Sequence, residues 1–152
     1  MARKSRQEFP VIAVDTNLLL YALFPQGAEH TLARTALLRA QADERGWGFT
    51  VANASEFWSV ATRVGGERAP ATPAEAVAFL ASLIRAGAQL WQGQADFGLR
   101  LLAIASRGEI LGRRIFDLQI ALAARDNGAT EIWTHDRGFV AVAGLRVFDP
   151  LG

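Results

Sequence analysis

The chain has 152 residues, a formal net charge of +1, and is half hydrophobic and one-fifth charged. That size favours one domain, taken as 1–152 with residues 1–9 a flexible tail, and it suffices to bury roughly two-thirds of the unfolded surface. The balance excludes collagenous and low-complexity chains and any strong global field for nucleic acid, while the lack of cysteine excludes disulfides, thiolate nucleophiles and Cys-type zinc sites and fits a cytoplasmic setting.

The tail is basic and carries Lys4, the only lysine; every other basic residue is arginine. Val11 to Val14 form a short β-branched run that reads as a buried strand. Asp15 cuts it, so it is too short for a signal-peptide core, and no other stretch approaches the length of a membrane span. Asp15-Thr16-Asn17 supplies three side chains able to cap the helix expected over Leu18 to Phe24, which Pro25-Gln26-Gly27 ends. A second helix is expected from Glu29 to Glu44, with Leu32, Ala36 and Leu37 on one face, broken where Gly46 and Gly48 flank Trp47. A strand follows at Phe49 to Val51 and a helix from Asn53 to Val64, ended by Gly65-Gly66.

Residues 65 to 73 hold two glycines and two prolines and read as a loop. Pro73 suits the first turn of the helix expected from Ala74 to Ala86. Gln89 to Trp91 form a weak strand, Ala95 to Arg107 a helix, and Arg114 to Asn127 another that Gly128 closes. The last strands are Glu131 to Thr134 and Leu145 to Phe148. Alternating strands and helices imply βαβ units, so the expected fold is α/β with a mostly parallel sheet of about five strands covered on both faces. Ligands in such sheets bind beyond the carboxyl ends of the strands.

Four acids are carried toward that edge. Asp15 and Asp136 each follow a strand directly, while Glu56 and Asp117 lie in the first turns of helices. Each also admits a purely structural reading. Asp15 and Asp136 suit N-caps, and Glu56 stands three residues after Asn53, the spacing of a capping box. Asp117 suits the positive end of a helix dipole. Those readings do not require all four to share one edge, and they leave clustered carboxylates without a countercharge. Oxygen-only ligands of this kind suit Mg²⁺ or Mn²⁺.

The residues resemble the PIN domain family, most closely its VapC-type toxins. The resemblance is carried by Val-Asp-Thr-Asn at 14 to 17 with Leu-Leu-Leu-Tyr behind it and by Ser55-Glu56 with Val60. Asp117 to Ala124 and Thr134-His135-Asp136-Arg137-Gly138-Phe139 complete it. His30 also falls at a frequent family position. Phe57-Trp58 stands where many relatives have smaller aliphatic residues, and residues 74 to 107 carry no motif. The resemblance implies a three-layer α/β/α fold and a metal-dependent endoribonuclease that is the toxin of a type II toxin–antitoxin pair. It also implies an RNA substrate, a cognate antitoxin and a homodimer. One or two ions of Mg²⁺ or Mn²⁺ are then expected on Asp15, Asp117, Asp136 and Glu56, the last directly or through water. Asn17 and Thr134 are candidates to orient those carboxylates, unless they serve only turn hydrogen bonds. Arg113, Arg114 and Arg137 are candidate RNA contacts, with a solvated surface or pairing with the acids as the alternative.

The tryptophans suit core or interface, and Trp58 is the choice for an antitoxin or dimer contact. His135 is expected to point away from Asp136. There is no phosphate-loop motif, no dinucleotide fingerprint and no nucleophile elbow. The rival functions are a catalytically silent PIN-like module that binds RNA or protein, and a DNA-directed nuclease.

Overall fold

The structure, a computed structural model, describes residues 11–140 and 142–152; the expected tail at 1–9 lies outside the described residues. In chain order the elements are β1 (Val11–Val14), α1 (Thr16–Leu23), α2 (His30–Ala42), β2 (Trp47–Thr50), α3 (Val51–Ala61) and α4 (Pro73–Arg85). They continue with β3 (Gln89–Trp91), α5 (Phe97–Arg107), α6 (Arg114–Asp126), β4 (Ala129–Trp133) and β5 (Arg146–Phe148). All strand pairings are parallel, in the order β3-β2-β1-β4-β5. The chain walks outward from β1 to β3, then returns to lay β4 on the other side of β1. The switch in strand order therefore falls between β1 and β4, where open α/β sheets leave a crevice for ligands.

Alternation along the central strands builds three layers. Ile12 and Val14 join one core with Leu18, Leu19, Phe57 and residues of α2 and α4. Ala13 and Ile132 face the other side, against Ile120, Ala121 and Ala124 of α6. Behind α6, Leu118 and Leu122 pack on Phe97, Leu101 and Ile104 of α5. The small residues of α6 let it lie close on the sheet. Trp47, Trp91 and Trp133 are buried, whereas Trp58 is exposed. Among the described residues, no helix is long and apolar enough to cross a membrane.

Two local expectations need correction. Gly46 does turn the chain, at φ 91°, but Trp47 and Gly48 lie inside β2 rather than in a break. Val51, expected to end that strand, is the first residue of α3, because Thr50 caps the helix three residues earlier than Asn53 would. Gly48 is required by its neighbours: a Cβ there would sit 2.4 Å from the Gln89 carbonyl and 2.9 Å from the Trp91 ring. Gly48→Ala should cost about 1–3 kcal/mol through overpacking against β3, measurable by urea unfolding. An unchanged midpoint would show that β3 moves aside freely.

Candidate active site

Asp15 leaves β1 and becomes the N-cap of α1, its Oδ1 accepting the Thr16 backbone N–H at 2.8 Å. It is 6% exposed, yet among the described residues no cation pairs with it. Its charge is instead met by neutral donors. The Thr134 hydroxyl donates to Oδ2 at 2.7 Å, and Asn53 Nδ2 approaches Oδ1 at 3.3 Å. Thr134 is itself a junction: its oxygen accepts Asn17 Nδ2 at 3.1 Å and the Asp136 backbone N–H at 3.0 Å. Asn17 closes the loop by accepting the His135 backbone N–H at 3.3 Å. The ends of β1 and β4 are thus laced together by side chains, Thr134 bonding the Asp15 carboxylate and Asn17 bonding Thr134 and the His135 backbone rather than a carboxylate.

Asp117 lies half-buried in the first turn of α6. Asp136 is exposed in the turn after β4, its Oδ1 accepting the Gly138 N–H at 2.9 Å. Glu56 is exposed on α3. The alternative reading of Glu56 as a helix cap does not hold: the capping box is Thr50 with Asn53, so Glu56 is left free of the helix start. Glu56, Asp117 and Asp136 line one cleft of about 320 Å³ together with Arg113, Arg114, Phe116 and Gly138. Arg137 is exposed and does not line it.

The electrostatics tie Asp15 to this group. Its pKa is pushed up to about 6, chiefly by burial, with the charges of Asp117 and Glu56 adding to the rise and the Thr134 and Thr16 hydrogen bonds opposing it. The Asp117 pKa is also raised to about 6, by burial first and then by Asp136 and Glu56, against the Val140 backbone hydrogen bond and Arg114. Four acids therefore feel one another across the switch point. They stand apart rather than meeting: among the described residues, no three acidic or imidazole side chains converge as a ready-made metal cage. The donor set nevertheless fits a hard divalent cation in chemistry, being oxygen-only and, among the described residues, free of any ion pair. Among the described residues Arg113, Arg114 and Arg137 form no ion pair, so their guanidinium groups are not consumed by the acids.

The histidines stand outside the cleft. His135 Nδ1 meets Asp149 at 2.9 Å and its ring lies edge-on to Tyr21. His30 Nδ1 donates to the Tyr21 carbonyl at 2.9 Å. Sequence reasoning missed Asn53 as a partner of the site. It is 1% exposed and donates to Thr16 Oγ1 at 2.9 Å as well as to Asp15. The available signal was its place, a short amide just past the second strand at the edge that receives Asp15.

A family model of the PIN domain matches residues 12–145. Among solved structures the chain is similar to Mycobacterium tuberculosis VapC20, titled a sarcin–ricin loop cleaving toxin. That match has a TM-score of 0.64 and 19% identity, over 86% of this chain and 98% of that one. It is also similar to VapBC2 from Rickettsia felis bound to a fragment of promoter DNA, at TM-score 0.63 and 14% identity over 91% and 98% of the two chains. FitAcB from Neisseria gonorrhoeae gives TM-score 0.60 and 16% identity over 91% and 97%. Among curated proteins there is no match. With its family pattern matched over most of its length and a parallel five-stranded sheet between two helical layers, the chain belongs to the PIN domain family.

Proposed function

We propose that this protein is a divalent-metal-dependent endoribonuclease, the toxin of a toxin–antitoxin pair, acting in the cytoplasm as one PIN-like domain per chain. The observation that carries the reading is the gathering of Asp15, Glu56, Asp117 and Asp136, from four separate elements, around the crevice between β1 and β4. The solved neighbours support the biological setting, since one is titled a sarcin–ricin loop cleaving toxin. An antitoxin and a second copy of the chain are the proposed protein partners, with exposed Trp58 offered as a contact.

In this reading Asp15, Asp117 and Asp136 hold one or two Mg²⁺ or Mn²⁺ ions, with Glu56 as a direct or water-bridged ligand. When bound, such an ion supplies an acidified water as nucleophile at neutral pH and positive charge against the leaving 3′ oxygen. Thr134 and Asn53 orient Asp15 by donating to its two oxygens, and Asn17 in turn fixes Thr134. Arg113 and Arg114 hold the RNA phosphates beside the acids, and Arg137 contacts the strand outside the cleft.

The deciding experiment is cleavage of single-stranded RNA and of matching DNA with Mg²⁺ or Mn²⁺ against an EDTA control. RNA cleavage lost with EDTA supports the reading. RNA binding without cleavage would make the protein a silent binding module, and preferential DNA cleavage would make it a DNA-directed nuclease.

A pH dependence follows from the raised acids. Folded Asp15 and Asp117 hold their protons up to about pH 6, against an ordinary value of 3.8. The folded state therefore binds more protons than the unfolded one between these values, and stability falls as pH rises through that window. Divalent ions compete with those protons. Added Mg²⁺ should raise the melting temperature clearly at pH 7.5 and little at pH 5. Equal shifts at both pH values would place the ion elsewhere.

A further inference from the structure

A second and larger cavity, of about 660 Å³, adjoins the acidic cleft. Glu56, Arg113 and Phe116 line both, so the two are continuous at the rim. We propose that this cavity receives an unpaired base of the RNA strand beside the bond being cut; the inference rests on the ribonuclease reading above.

The chemistry of the walls fits a base. The volume lies within the range of small-molecule sites, about 300–1,000 Å³. Ser59 of α3 and Gln119 of α6 line it, offering a hydroxyl and an amide to the donors and acceptors of a base edge. Phe116 is 53% exposed on α6, directly before Asp117. An exposed planar ring at the junction of the two cavities is a stacking platform, and stacking is how single-stranded nucleic acid is held without pairing. Phe97 forms another part of the wall, lying over Gly93 and packed against the cluster of Leu118, Leu122 and Val140. Arg63 and Arg113 also line the cavity, and among the described residues neither forms an ion pair, so both are free for the phosphates that flank a base. A peptide would use the apolar wall too, but continuity with the acids and two free guanidinium groups favour a polyanion that ends in the cleft.

The test combines protein and substrate changes. A single-stranded oligoribonucleotide is cleaved by the wild-type protein with Mg²⁺, and the cut is mapped. Each nucleotide flanking the cut is then made abasic in turn. At one position the loss of the base should lower kcat/KM by about 10-fold or more, the scale of one base stack. Phe116→Leu should cause a similar loss on the intact oligonucleotide and no more than about a further twofold on that abasic one. Ser59→Trp, an exposed substitution that fills the cavity, should behave the same way, which guards against a loss peculiar to one variant. Losses that multiply would overturn the inference, because the ring and the base would then act independently. Wild-type kcat/KM in both variants on the intact oligonucleotide would also overturn it and leave the cavity to a protein segment. Absence of cleavage by the wild-type protein would instead remove the ribonuclease reading, and this inference with it.

Discussion

Asp15→Asn should abolish metal-dependent RNA cleavage, by at least about 100-fold, while leaving the metal-free protein folded and slightly more stable at pH 7.5. The two effects have one origin. Asp15 is 6% exposed and sits among acids, so its charge is held at a cost that lifts its pKa to about 6. Replacing the charge by an amide removes that cost, which corresponds to roughly 2–3 kcal/mol for a shift of this size. Part of the gain is returned, because Thr134 Oγ1 already accepts two N–H groups and donates its single proton to Asp15. An amide nitrogen facing that oxygen has no good partner. The net gain is then about 1 kcal/mol, or about 3 °C in melting temperature for a chain of this length. The same variant should also lose the Mg²⁺-induced rise in melting temperature. Full cleavage activity in it would remove Asp15 from the chemistry; a large destabilisation would mean that Asp15 is mainly a helix cap.

Asn53→Ala should be the most damaging single truncation near the site, costing about 3 kcal/mol. Asn53 Oδ1 accepts the Thr50 backbone N–H at 3.0 Å and the Thr50 hydroxyl at 2.8 Å, and its Nδ2 donates to Thr16 and Asp15. Truncation removes half of the capping box of α3, worth about 1 kcal/mol, and leaves buried polar groups of Thr50 and Thr16 without partners at about 1–3 kcal/mol. Thr72→Ala is the matched comparison. Thr72 forms the same box with Glu75 at the start of α4, but in solvent, where water replaces what is lost. It should cost only about 1 kcal/mol. Equal midpoints for the two variants in urea would show that the buried network around Asn53 contributes nothing beyond a cap. Cleavage should also fall in Asn53→Ala, since Asp15 loses one of its two side-chain donors.

These residues also show how far the sequence can be read. Val14 running into Asp15, and Trp133 into Thr134 and Asp136, could be seen as strand ends meeting polar residues, and the alternation of elements implied a parallel sheet. What could not be seen was that β4 lies directly beside β1. That neighbourhood makes Thr134 a partner of Asp15, and it is set by chain packing, not by any local pattern. The start of α3 was misplaced by overlapping capping signals. Thr50 with Asn53 and Asn53 with Glu56 have the same spacing, and only burial decides between them. Asn53 at 1% exposure is inside the protein, so the earlier box forms and Glu56 is turned free to the cleft. Trp47 and Gly48 misled in a similar way: glycines around an aromatic ring looked like a break, when Gly48 is small because the β3 backbone and Trp91 press against it. Phe116 carried no sequence signal, because a phenylalanine on an amphipathic helix is ordinarily core.

The lacing of Asp15 to Thr134 has a further consequence for how the molecule comes into being. The two residues are 119 positions apart, and the strands they follow are adjacent in the centre of the sheet. Contacts of such long sequence separation form late and slowly, because the loop between them must first be closed. A chain growing from its N-terminus can assemble β1 to β3 and their helices, but β1 keeps one open flank until β4 has been made. The crevice that gathers the acids does not exist before then. A chain cut short before β4 lacks that crevice altogether.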